Sequence, residues 1–175
     1  MGEVTVLRLG HRPAHDRRIS THLCLTARAF GADRIVFPSV DSSLEATVDD
    51  IRERFGGGFS LEEDPEWRPL IREHEGPSIH LTMYGQRHTD ALAEIDAGDG
   101  MLVIVGAEKV PADVYDLATH NVAVGNQPHS EIAALSTTLL DVLGPDELYA
   151  ERADAEIVIE PSDRGKDVRE VDRGG

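Results

Sequence analysis

"MLVIVG", residues 101–106, decides the fold class: five apolar residues in succession, closed by a glycine. A strand apolar on both faces belongs inside a parallel sheet covered on both sides, because a strand with one wet face alternates. Runs of similar character lie on both sides of it: Val4 to Leu9, "RIVFP" at 34–38, "SIHLTMYG" at 78–85 and "NVAVG" at 121–125. Helical patterns separate them. Ser20 or Thr21 is placed to cap a helix carrying Leu23, Ala27 and Phe30 and ending at Gly31, after a polar loop "GHRPAHDRR" at 10–18. Residues 42–55 read as a surface helix with Ser42 and Glu45 spaced as a capping box.

Shorter helices are expected over "DPEWRPLIREH" (64–74), from Asp90 to Ile95, and from Pro111 to Leu117, with a short strand at "FSLE" (59–62). Pro128 is expected to open the last long helix, whose Ile132, Leu135, Leu139 and Leu143 keep helical spacing. Strands alternating with helices predict an α/β fold, a doubly wound and mostly parallel sheet. The tail differs. "AEIVIEP" and "KDVREVD", joined by "SDRG", predict a β-hairpin beyond the main layers. The expected division is one domain over 1–150 and a hairpin extension over 151–175.

Composition bounds the function. Thirty-three acids against 17 bases give a net charge of −16. Charge alone argues against a nucleic-acid partner. The same excess fits a protein working in concentrated salt, where charges are screened within roughly 3 Å at 1 M. On that reading the positions of the few bases matter more than their number. No stretch approaches the roughly 20 apolar residues of a membrane span. The start of the chain does not read as a secretory signal. The single cysteine, Cys24, fits a reducing cytoplasm and falls on an apolar helix face, where it is expected to be buried and inert.

In a parallel sheet all strands deliver their carboxyl ends to one edge, where open α/β sheets bind ligands. "TMYGQ" (82–86), "GAEKVP" (106–111) and "GNQPHSE" (125–131) should therefore share a rim. Gly85, Gly106 and Gly125 allow turns there that a side chain would hinder. Asn126 and Gln127 both donate and accept hydrogen bonds, as reading a purine edge requires. No G-x-G-x-x-G follows a strand and no P-loop is present, which argues against a dinucleotide or nucleoside-triphosphate site. The loop after the first strand gathers Arg12, Arg17, Arg18, His11, His15 and His22, a set suited to phosphates or a polar substrate. His11 and His15 have helical metal spacing, but Pro13 interrupts it and no third ligand is near.

Four motifs in order, "VLRLGHRP…THLCLTARAFGAD", "HLTMYG", "VGAEKVP" and "VGNQPHSE", resemble the archaeal tRNA (cytidine(56)-2′-O)-methyltransferase family of the SPOUT superfamily, from near the first residue to about Leu143. The acidic composition fits a haloarchaeal member. The resemblance implies a deep trefoil knot near the C-terminal end, which no pattern in the residues would give, since knots are close to absent among folds. It implies S-adenosylmethionine as methyl donor, a cytoplasmic homodimer with sites near the interface, and the ribose 2′-hydroxyl of a T-loop cytidine in tRNA as acceptor. The cofactor pocket carried over consists of Leu81; Gly106, Ala107, Glu108, Lys109 and Val110; and Val124, Gly125, Asn126, Gln127, Pro128, His129, Ser130 and Glu131. Arg18, then Arg12, is expected to orient the hydroxyl. His15 departs from the family, which carries arginine there. Two other readings remain: a non-catalytic RNA- or nucleotide-binding module on this scaffold, and a base-directed RNA methyltransferase.

Overall fold

The structure, a computed structural model, describes residues 2–10, 12–106 and 109–171. Six strands form one sheet: β1 (Val4–Leu9), β2 (Arg34–Phe37), β3 (Ser60–Glu63), β4 (Ser78–Arg87), β5 (Met101–Gly106) and β6 (His120–Ala123). Their order is β3-β2-β1-β5-β4-β6, and every pairing is parallel. β1 is central: Val6 lies opposite Ile35 on one side and Val103 on the other.

Alternation along the strands sends side chains to two cores. Val4, Val6, Ile79, Val103 and Val105 pack against α1 (Pro13–Ala29), α2 (Ser42–Phe55) and α6 (Glu131–Leu143) through Leu23, Ala27, Leu44, Val48, Leu135 and Leu139. Leu7, Leu9, Leu102 and Ile104 face the other way. They pack against Trp67, Ile71 of α3 (Arg68–Arg72) and Val114 of α5 (Val114–Leu117). Cys24 is 1% exposed within the first core, and burial pushes its thiol up to about 12, so it is inert as expected.

Three of the helix starts that differ from the sequence expectation do so for a plain local reason. α1 begins at Pro13, seven residues before Ser20. Proline costs little at a first helical position, where no N–H partner is available. The Asp16 carboxylate then accepts the free backbone N–H of Arg12 at 2.9 Å. "AHDRR" is therefore helix, and Ser20 and Thr21 lie inside it. α2 is capped by Asp41, not Ser42: its Oδ1 accepts from the backbone N–H groups of Ser43 and Leu44, both at 3.1 Å. α6 starts after Ser130, whose Oγ accepts from Ile132 N–H at 3.1 Å, so Pro128 stands outside the helix. α4 (His88–Leu92) lies slightly earlier than Asp90–Ile95, and α5 starts three residues after Pro111.

Gly85 does not end its strand. β4 runs on to Arg87, but Leu81 and Gln86 both lie opposite Val122, so residues 82–85 bulge away from β6. Gly85 closes the bulge against backbone: a Cβ there would sit 2.5 Å from the carbonyl of Asn121 and the N of Val122. The tail forms the expected antiparallel hairpin, β7 (Ile157–Glu160) with β8 (Asp167–Glu170). Backbone bonds from Gly57 to Ala153 and from Glu156 to Arg54 tie its approach to the end of α2. Among the described residues, no helix is long and apolar enough to cross a membrane.

Two predictions follow from these contacts. Gly85→Ala should cost about 2 kcal/mol, typical of forced overpacking, and lower the melting temperature by roughly 4–8 °C for a chain of this size; an unchanged melt would mean that the β4–β6 approach is looser. His80 is held below its ordinary 6.5 by burial, and His74 by burial and then by Arg34. Both imidazoles resist a proton that the unfolded chain accepts, so stability is full above pH 6.5 and falls as pH drops below it. Thermal melts at pH 7.5 and 5.5 should show that fall. The double variant His74→Gln/His80→Gln should flatten it.

Candidate functional site

A cleft of about 850 Å³ opens at the carboxyl edge of the sheet. Leu81, Thr82, Met83 and Tyr84 of the β4 bulge form one wall. Gly106 at the end of β5 and Val110 beyond it contribute next, and residues Val124, Gly125 and 127–131 follow from the segment after β6. Arg12 just before α1, and Asp16 and Ile19 on it, close the remaining side, with Arg8 near the end of β1. Gly125 adopts φ +73, a left-handed turn that favours glycine, and a Cβ there would meet nothing within 4 Å. The His129 ring reaches back to the Val124 carbonyl, and Asn126 Nδ2 donates to the Met83 carbonyl at 2.8 Å. The β4 bulge and the β6 loop are thereby fastened together.

The two faces of the sheet supply different chemistry. On the α1–α6 side, the fully buried Arg8 donates from Nη2 to Glu131 Oε1 at 2.8 Å, while its Nε and Nη1 have no hydrogen-bond partner among the described residues. On the same side Asp16 accepts from the backbone N and Nε of Arg12 at 2.9 and 3.3 Å. The Arg12 side chain is 64% exposed, so its guanidinium is presented at the cleft mouth rather than buried in the pair. The hydrogen bonds from Arg12 hold the Asp16 carboxyl below the usual carboxylate range against the opposing effect of burial.

His80 faces the other side of the sheet. Its ring meets Tyr115 edge-on, with centroids 4.8 Å apart, and Nδ1 lies 2.8 Å from Asn121 Oδ1. The Asn121 amide nitrogen donates to the Tyr115 carbonyl at 2.9 Å, which turns Oδ1 toward the imidazole. The proton therefore resides on Nδ1, and Nε2 is left as an acceptor. Tyr115 and Thr82 share a hydroxyl hydrogen bond of 2.8 Å. Tyr84, 75% exposed, stands at the rim.

Of the site residues expected from sequence, Leu81, Gly106, Val110, Val124, Gly125, Gln127, Pro128, His129, Ser130 and Glu131 line the cleft together with Arg12. Asn126 braces the loop from behind. Lys109 is exposed outside the lining, and Arg18 lies exposed on α1 outside it as well. Ala107 and Glu108 fall outside the described residues, as does His11. Sequence reasoning passed over Arg8, His80 and Tyr115. Arg8 carried a legible signal: alternation places it with Val4 and Val6 on a core face, where an unpaired charge is costly. Among the described residues, no group of three or more His, Cys, Asp or Glu side chains is placed to hold a metal ion.

Comparison with known proteins identifies the family and the fold. The family model for tRNA ribose 2′-O-methyltransferase, aTrm56, matches residues 55–169. The tRNA (cytidine(56)-2′-O)-methyltransferase of Thermococcus kodakarensis is 47% identical over 97% of this chain and 98% of its own. Those of Archaeoglobus fulgidus and the haloarchaeon Natronomonas pharaonis are 51% and 49% identical, covering 95% and 97% of this chain and 98% and 96% of theirs. Among solved structures, an RNA 2′-O ribose methyltransferase superposes with TM-score 0.59 at 16% identity over 81% of this chain. The SpoU methyltransferase AviRb from Streptomyces viridochromogenes, in complex with AdoMet, gives 0.54 at 12% over 81%. The chain spans 55% and 57% of those two structures' own lengths, and the likeness carries the SPOUT-type fold. The chain belongs to the tRNA ribose 2′-O-methyltransferase family.

Proposed function

We propose that the chain transfers a methyl group from S-adenosylmethionine to the ribose 2′-hydroxyl of cytidine 56 in tRNA. The observation that carries this reading is the convergence of three strand-end segments and the start of α1 on one cleft. The cleft fits the donor in size, being within the range of roughly 300–1,000 Å³ usual for small-molecule sites. It fits in character too. Leu81 and Val110 offer apolar surface, the Gly125 turn leaves open space, and the exposed 125–130 loop offers backbone polar groups. When bound, the sulfonium donor supplies an electrophilic methyl group. Leu81, Gly106 to Val110 and Val124 to Ser130 are the residues assigned to hold it, and Glu131, paired with Arg8 at the start of α6, stands beside that loop.

The chain's own task is alignment and charge stabilisation. The placement of Arg12 at the cleft mouth, steadied by Asp16, supports it as the cation that orients the ribose and its neighbouring phosphate. An arginine stays charged at ordinary pH, so it serves as a donor rather than a base. Arg18, exposed six residues further along the chain on α1, is assigned to the RNA backbone near the same ribose. We further infer a cytoplasmic homodimer with its sites near the subunit interface, a deep trefoil knot near the C-terminal end of the domain, and function at high salt. Residues 151–175 are assigned as an extension to a catalytic domain over 1–150. The high-salt reading is supported by the net charge of −16 and by the haloarchaeal relative.

The test incubates the chain with labelled S-adenosylmethionine and an unmodified tRNA transcript in molar salt, followed by nuclease mapping. Label is expected on the ribose at cytidine 56. A labelled base, or no transfer across salt concentrations, would overturn the reading. In the same assay Arg12→Ala should lower kcat by about 100-fold, the scale of losing one transition-state donor, with donor affinity retained. Arg18→Ala should mainly raise KM for tRNA. A reversed pattern would move the orienting role to Arg18.

A further inference from the structure

Every cation buried inside this fold needs a reason, and Arg8 has no structural one. It sits on β1, inside the sheet and 0% exposed, with one nitrogen on Glu131 and two without a partner among the described residues. A buried ion pair this poorly satisfied is commonly neutral or unfavourable compared with apolar side chains of similar volume. Its partner is better placed for chemistry. Glu131 opens α6, retains 15% side-chain exposure, and lines the cleft, with Arg8 fixing Oε1.

Resting on the proposed function, we propose that Glu131 is the acceptor of the ribose 2′-hydroxyl proton and that Arg8 is the positioning residue that holds its carboxylate. Asp16 is the other carboxylate among the described lining residues, and Arg12 occupies it through backbone and side chain. His80 and Tyr115 also line the cleft, but His80 enters it from the opposite face of the sheet from Arg8, Glu131 and Arg12, packed edge-on against Tyr115 with Nδ1 on Asn121. In the step, the hydroxyl oxygen forms a bond to the methyl carbon as the carbon–sulfur bond breaks and its electron pair returns to sulfur. The hydroxyl proton passes to Glu131. A carboxylate is a weak base, but it suffices here because the hydroxyl becomes strongly acidic as its oxygen gains the new bond. Arg8 also keeps the carboxylate turned into the cleft rather than folded back along α6.

The experiment compares Glu131→Gln, Glu131→Asp, Arg8→Lys and the double variant Arg8→Met/Glu131→Gln with the wild-type chain. Calorimetric binding of S-adenosylmethionine, melting temperature, and separate kcat and KM values for tRNA are measured. Glu131→Gln should bind the donor and tRNA within about threefold of wild type and lose about 100-fold or more in kcat, the range of a positioned proton acceptor. Glu131→Asp should recover part of that loss. Arg8→Lys should lower kcat with both affinities kept. Should Glu131→Gln fold poorly with Arg8 left unpaired, the double variant decides: it should melt at or above the wild-type temperature and remain inactive. Turnover restored along with stability in the double variant would overturn the proposal. So would wild-type kcat in Glu131→Gln, or a loss of donor affinity large enough to explain its defect. A wild-type chain that methylates no ribose removes the proposed function as well, whereas an active wild type with an equally active Glu131→Gln removes this inference alone.

Discussion

Parallel pairing of six strands is the constraint on which the rest depends. It brings the ends of β1, β4, β5 and β6 to one edge and leaves no freedom to distribute their loops elsewhere. The central strand β1 is hydrogen-bonded on both sides, so the α1 start that follows it must begin at the same rim. The cleft is thus set by the sheet, and the side chains around it tune a concavity that backbone pairing has already made. Two contacts then sharpen it. Gly85 lets the β4 bulge close directly on the β6 backbone, and Asn126 fastens the bulge to the loop that ends at α6.

Polar groups within the fold divide between bracing and chemistry. His80, Asn121, Tyr115 and Thr82 form a chain of contacts on one face that fixes the imidazole tautomer and holds the β4 bulge. Arg12, Asp16, Arg8 and Glu131 gather on the other face as two ion pairs, the Arg12 guanidinium exposed and Arg8 fully buried. Arg28 shows the contrasting structural use of a cation. Its guanidinium donates to the carbonyls of Phe55 at 2.9 Å and Gly56 at 2.6 Å, capping the end of α2 beside a smaller cavity of about 360 Å³. Among the described residues Arg8 caps no carbonyl and pairs with Glu131 instead, which is the contrast behind the positioning role proposed for it.

Much of this architecture is legible in the chain because burial imposes patterns. "MLVIVG" announces a doubly covered strand, and the spacing from Ile132 to Leu143 announces an apolar helix face. Helix starts are less legible, since several residues can cap and only the folded backbone selects one: Asp41 over Ser42, Ser130 over Pro128, and Asp16 reaching back over Pro13. The β4 bulge was invisible because the crowding at Gly85 comes from Asn121, far along the chain. At the site, glycines marked the loops, but Arg8 and His80 hid within strand patterns and gain meaning only from the partners that folding brings.

The central claim is that the methyl donor occupies the cleft made by these converging strand ends. Backbone amide shifts recorded while S-adenosylmethionine is titrated into the chain at high salt test it most directly. The account predicts saturable shifts concentrated in residues 81–85, 106–110 and 124–131. Shifts centred instead on the cavity around Arg28, Gly56 and Arg152, or none at millimolar donor, would contradict it.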